Sequence, residues 1–144
     1  MPEPGLAGDR QAIIDLTIAY TWALDTKHLE ELREVFTPDA TADLRGVVCD
    51  GIDAIIERIG GAIGSLERTQ HLVGNHQVRV DGDTATCRCQ LQSQHVVASA
   101  EGVHNFLIGG IYEDRVVRTP AGWRIARRVL TQSWSEGDRT SARR

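Results

Sequence analysis

The chain has 144 residues, with 16 basic side chains against 20 acidic ones for a net charge of −4, and it is 41% hydrophobic and 25% charged. A chain of this size forms one domain and buries roughly 70% of the surface its unfolded form exposes, which excludes a two-domain enzyme, chain-wide disorder, collagen and coiled coil. No basic excess points to nucleic acid or an anionic membrane, and no apolar run approaches the roughly 18 residues of a membrane span.

The first eight residues are rich in Pro and Gly and are expected to be a loose tail. Asp9 is a suitable N-cap for a helix to about Leu24, in which Ile13, Ile14, Leu16, Ile18 and Leu24 recur at helical spacing. A second helix is predicted over residues 29–36, stopped by Thr37-Pro38, with short strands around Gly46. A third is predicted over residues 52–59, ended by Gly60, Gly61 and Gly64. After Thr69 the pattern turns β-branched and alternating. Strands are predicted over residues 70–80, 84–97, 103–117 and 122–134, with an Asp81-Gly82 hairpin signal between the first two. Residues 135–144 are polar and are expected to fray, so the predicted domain spans residues 9–134. Helices followed by a meander of strands give an α+β fold, with helices packed on a strongly curved antiparallel or mixed sheet that encloses a pocket.

Asp25 falls in line with Ile14, Ile18 and Thr21 on a helical wheel, which aims a carboxylate inward, where an ionised group is costly without a partner. The alternative is that the helix has ended and Asp25 or Thr26 caps the next one. His71 opens the first long strand and shares an extended-chain face with Val73 and Asn75. A buried carboxylate accepting from one imidazole nitrogen fixes the tautomer and makes the other nitrogen a better base. Tyr20 lies toward the edge of the same helix face and carries a hydroxyl donor, or is simply a core aromatic. One of Arg127 and Arg128 must point inward from a regular strand, and an inward Arg needs an anion or a carboxylate. Trp22, Phe106, Tyr112, Trp123 and Trp134 are expected in the core or the pocket wall. With only seven aromatics in the chain, the wall should be largely aliphatic.

Cys49, Cys87 and Cys89 are odd in number, follow no signal-peptide pattern and read as small buried hydrophobes in a reducing cytoplasm. No His pair has the i,i+4 spacing of a helical zinc site, and neither a Gly-rich phosphate loop nor a G-x-S-x-G elbow is present. No metal and no organic cofactor is expected.

The segments Tyr20-Thr-Trp-Ala-Leu-Asp25, Leu29-Glu-Glu-Leu-Arg-Glu-Val-Phe36, Thr69-Gln70-His71 with Asn75, Gly110-Ile-Tyr112-Glu-Asp114 and Gly122-Trp123-Arg124-Ile125 together resemble the SnoaL-like branch of the nuclear transport factor 2-like superfamily. The resemblance covers residues 9–134 and implies a cone-shaped α+β barrel. Within that superfamily the positions look most like those of hexachlorocyclohexane dehydrochlorinase, bile-acid 7α-dehydratase and scytalone dehydratase. The resemblance implies an Asp25–His71 catalytic dyad assisted by Tyr20 and Arg128. It makes Asn75 and His95 further candidates for touching the substrate, beside Trp22, Phe106, Tyr112 and Trp134. It implies cofactor-free elimination on a small hydrophobic cyclic, polyketide-like or steroid-like substrate, in a homodimer or homotrimer. The alternatives are a polyketide cyclase or isomerase using the same dyad, and a non-catalytic subunit similar to the β subunit of ring-hydroxylating oxygenases. A non-catalytic subunit has no need for Asp25 to face His71.

Overall fold

The structure is a computed structural model that describes residues 5–99 and 102–137. The elements run α1 (Leu6–Asp25), a 3-10 helix (Leu29–Glu34), β1 (Phe36–Leu44), β2 (Val47–Asp50), α2 (Ile52–Ile63), β3 (Arg68–Asp81), β4 (Thr84–Ser99), β5 (Gly102–Thr119) and β6 (Gly122–Gly137). The six strands form one sheet in the order β2-β1-β6-β5-β4-β3. The β1–β6 pair is parallel and the others are antiparallel. The sheet does not close into a barrel, because β2 and β3 remain its edges.

Strict alternation builds the core. On β4, Ala85, Cys87, Cys89, Leu91, Ser93, His95 and Val97 are buried, while Thr86, Arg88, Gln90 and Gln92 between them are exposed. The same face of β5 supplies Phe106, Ile108, Tyr112, Asp114 and Val116. On α2, Ile52, Ile55, Ile59 and Ile63 fall three or four apart and are all buried. Each such side chain contributes about 1.5–3 kcal/mol relative to exposure. Cys49, Cys87 and Cys89 are free and buried. Burial pushes the Cys87 thiol up to about 12 and the Cys89 thiol up to about 11, so both stay protonated as core groups.

Several boundaries differ from the sequence expectation, each for a local reason. α1 starts at Leu6 behind Gly5, so Leu6–Gly8 are helical and Asp9 does not cap. Asp9 instead accepts hydrogen bonds from Arg118 and from Trp123 Nε1, at 3.1–3.2 Å, and ties the helix start to β5 and β6. The second helix is a single 3-10 segment, and Phe36 already belongs to β1. Pro38 sits inside β1, in the stretch between Phe36 and Thr41 where the ladder to β6 is interrupted and a missing N–H costs nothing. Gly60 and Gly61 lie within α2 rather than ending it, because the row of isoleucines continues to Ile63. β6 runs on to Gly137; the remainder of the expected tails, residues 1–4 and 138–144, lies outside the described residues.

Two glycines should respond oppositely to alanine. A methyl group at Gly61 meets open space on a helix, so Gly61→Ala is expected to stabilise by about 0.5–1 kcal/mol. At Gly110 a methyl group collides with the Thr131 carbonyl oxygen of β6, where β5 and β6 shift register. Gly110→Ala is expected to destabilise by about 1–3 kcal/mol. Urea unfolding midpoints of the two variants check both signs.

Candidate active site

β3 is a sheet edge, so its outward backbone groups have no strand partner, and α1 lies along it and supplies side chains instead. Near one end Arg10 Nη1 donates to the Val78 carbonyl at 2.7 Å. At the other end Asp25, the last residue of α1, accepts the His71 backbone N–H at 2.9 Å through Oδ2. Its Oδ1 accepts the Thr69 hydroxyl at 2.9 Å and lies 2.6 Å from His71 Nδ1. Partial burial pushes the Asp25 carboxyl up, but these donors outweigh it and hold the group below its ordinary value. An ionised Asp25 only accepts, so Nδ1 of His71 carries a proton, and in the neutral imidazole Nε2 then offers a lone pair.

His71 lines a cavity of about 80 Å³ between the helices and the inner face of the sheet. Leu24, Leu44, Ile59, Ile63, Leu91 and Ile108 make its wall aliphatic. Tyr20, Tyr112 and Ser93 bring hydroxyls, and Arg45 and Arg58 bring two cations. Burial raises both tyrosine pKa values, so both phenols stay protonated, and the Tyr112 hydroxyl donates to that of Tyr20. Among the described residues, no three His, Cys, Asp or Glu side chains cluster as a metal site.

Arg128 does point inward while Arg127 is exposed, but the guanidinium does not line the cavity. The β5–β6 register sets Asp114 directly opposite Arg128, and the two form a bidentate pair at 2.7 and 2.8 Å, with both side chains 0% exposed. The guanidinium packs 4.3 Å from the Tyr20 ring centre and 3.9 Å from that of Tyr112. Burial opposes its charge, yet Asp114 outweighs this and leaves Arg128 above its ordinary range. Arg128, expected from the sequence to face the substrate, thus packs against the two tyrosines and is not on the wall of this cavity.

The contacting residues expected from the sequence separate into three places. Tyr112 lines the cavity. His95 and Phe106 stand behind His71: their rings stack at 4.3 Å, and His95 meets the His71 ring edge-on at 6.0 Å. Trp22, Asn75 and Trp134 lie outside. Trp22 is 64% exposed because two positions along a helix turn it about 200° from Tyr20. Ile18 is exposed as well, so the buried stripe of α1 runs through Ile13, Thr17, Tyr20 and Leu24, and Asp25 reaches His71 from the helix end rather than from mid-stripe. Asn75 has φ +56° at a register shift between Gly74 and Gln77. That bulge turns its side chain outward to Gln90, at 2.6 Å, and turns His76 inward to the Thr17 hydroxyl, at 2.8 Å. Trp134 and Asn75 share an outer groove of about 540 Å³ with Leu72. Sequence reasoning missed Arg45, Arg58, Ser93 and Asp114. Alternation from Tyr112 and from Leu91 already placed Asp114 and Ser93 on the inner face, whereas nothing local marks the two arginines.

His95 is only 8% exposed, and burial, with His71 adding to it, lowers its pKa to about 4. A folded-state pKa below the unfolded value of about 6.5 means that the unfolded chain binds the proton first, so stability falls as pH drops from 6.5 towards 4. Between pH 7 and pH 5 the native protein is expected to lose about 2 kcal/mol more than His95→Gln, as measured by urea unfolding at the two pH values.

Among known proteins, the chain is 37% identical over 132 residues to the uncharacterized protein Rv2910c of Mycobacterium tuberculosis, covering 89% of this chain and 88% of the relative. The crystal structure of Kfla4162 from Kribbella flavida superposes with a TM-score of 0.87 at 27% identity, over 96% of this chain and 99% of that one. A Novosphingobium aromaticivorans structure provisionally assigned as a scytalone dehydratase has a TM-score of 0.82 at 23% identity, over 92% and 89% of the two chains. The hexachlorocyclohexane dehydrochlorinase LinA type 2 has 0.81 at 17% identity, over 92% and 90%. These last two share the fold. The family model described as "SnoaL-like domain" matches residues 7–129. The chain thus belongs to the SnoaL-like domain family.

Proposed function

We propose that the protein is a cofactor-independent lyase of the dehydratase type, with Asp25 and His71 as its general-base dyad. The supporting observation is the 2.6 Å contact between Asp25 Oδ1 and His71 Nδ1 beside a largely aliphatic cavity. Nε2 of His71 takes a proton from a carbon next to a carbonyl. The C–H electron pair moves into an enolate, whose oxygen accepts a hydrogen bond from Tyr20, itself supported by the hydroxyl of Tyr112. The enolate then expels a hydroxyl from the β carbon, and the imidazolium returns its proton to that leaving group as water. Asp25 steadies the transient positive charge on His71. General-base help of this kind contributes typically 10²–10⁴-fold. The fold neighbours named for a dehydratase and a dehydrochlorinase support elimination as the reaction class.

The aliphatic walls suit a small hydrophobic cyclic substrate of polyketide or steroid type. A cavity of about 150 Å³ is what holds a single benzene ring. The 80 Å³ space therefore admits such a substrate by outward movement of the exposed Arg45 and Arg58 side chains. The three free buried cysteines suit a reducing compartment such as the cytoplasm, and no described helix is long and apolar enough to cross a membrane.

Dehydration of a set of β-hydroxy cyclic ketones, followed by NMR, tests the mechanism. His71→Ala and Asp25→Ala are expected to lose at least about 10²-fold in rate while keeping a cooperative thermal transition. Full turnover by His71→Ala would sink the mechanism. Loss of the folded transition along with activity would make the pair structural. For the assembly, the outer face of the sheet carries the exposed Leu72 and Trp134 beside Ile111, which supports pairing of two or three copies there. Leu72→Glu is expected to shift the mass seen by light scattering to that of a monomer.

A further inference from the structure

The cavity holds a charge pattern that proton abstraction does not require. Among the described residues, its two permanently charged lining side chains are Arg45 and Arg58, and no Asp or Glu lines it. Asp25 stands behind His71, with its oxygens occupied by Thr69 and His71. The two arginines come from separate elements, the turn between β1 and β2 and the helix α2, and both line this cavity. Both are exposed, so they stand at the mouth while His71 and the tyrosines lie deeper.

Three other arginines of this acidic chain have carboxylate partners, while Arg10, Arg88 and Arg124 donate to carbonyl or amide oxygens away from the cavity. Arg33 pairs with Glu30 and Asp53, Arg118 with Asp9 and Asp83, and Arg128 with Asp114. Arg45 donates instead to the neutral amide of Gln132 at 3.2 Å, and Arg58 has no ion pair among the described residues. Arg45 is also held at φ +58°, a left-handed conformation uncommon for a side-chain-bearing residue, with its backbone N–H fixed to the Leu130 carbonyl. Two arginine side chains lining one cavity, neither paired with a carboxylate among the described residues, suit an oxyanion joined to an apolar body.

We propose that Arg45 and Arg58 bind an anionic oxyacid group of the substrate, a carboxylate or a phosphate, and so hold its apolar body in the well with the reacting carbon toward His71. The orientation rests on the reading of His71 as the base, whereas the anion site does not. A substrate of this class presents its charge at the mouth and its carbonyl to Tyr20. The arginines thereby select the substrate and fix which end enters.

Calorimetric titration with three probes of one apolar body tests the site: 3-phenylpropanoate, 2-phenylethyl phosphate and the neutral 3-phenylpropanamide. At least one anion is expected to bind the native protein about tenfold more tightly than the amide, a modest gain because the arginines are exposed. Which anion gains more identifies the oxyacid. The double variant Arg45→Gln/Arg58→Gln is expected to bring the anions down to the amide's affinity and leave the amide unchanged. Raising ionic strength should shrink the anion preference and spare the amide. Equal binding of all three probes by the native protein, a preference that persists in the double variant, or no binding of any probe overturns the proposal. His71→Ala is expected to keep the preference. An anion preference without any elimination by the native protein would leave the anion site standing while the lyase reading fails.

Discussion

The Asp25 carboxylate is the joint on which the site turns. It ends α1 and takes three donors from the first residues of β3: one hydroxyl, one backbone N–H and one imidazole nitrogen. One group thus satisfies part of an open sheet edge, fixes where the helix end meets the sheet, and sets the histidine tautomer. An ionised carboxylate in a half-buried position persists only because those donors are in place. Position and chemistry are therefore coupled: a displaced helix end loses both the edge cap and the oriented imidazole.

Around this joint the molecule separates rigid polar support from an adaptable apolar well. Beneath the tyrosines, Asp114 and Arg128 form a fully buried, bidentate pair, and the guanidinium packs against both rings. Such a pair adds little net stability, yet removing one partner strands a buried charge at a cost of about 3–5 kcal/mol. It holds the phenols in one arrangement. Behind His71, the stacked His95 and Phe106 rings limit how the imidazole tilts. On the opposite side, α2 and the β1–β2 turn contribute aliphatic groups and two exposed arginines. The cationic side of the cavity is thus the solvated one, and the side with the histidine and the phenols is the enclosed one.

Much of this was legible in the sequence because it follows from short-range periodicity. Alternation in the four long strands placed the inner faces of β4 and β5, and a helix was expected from residue 52 where α2 begins. Tyr20, Asp25 and His71 stood out as polar groups at inward positions of otherwise apolar patterns. The sequence also required an inward arginine to have a partner, and Asp114 meets that demand. Helix limits were less legible: α1 gained a turn at its start once Asp9 was drawn to Arg118 and Trp123, and α2 kept its two glycines.

By itself, then, the sequence determined an α+β domain with helices on one face of a curved sheet, and it nominated an acid and a histidine as the chemistry. Those conclusions need only the periods of 3.6 and 2 and the cost of burying charge. Tertiary structure alone decided which polar groups share a space. The bulge at Asn75 flipped the phase of β3 and moved that residue to the outer face. The register of β5 against β6 joined Asp114 to Arg128 and withdrew the arginine from the cavity. The packing of α2 beside the β1–β2 turn brought Arg45 and Arg58 to one cavity. Contacts of this kind lie between residues distant in the chain, and no local pattern encodes them.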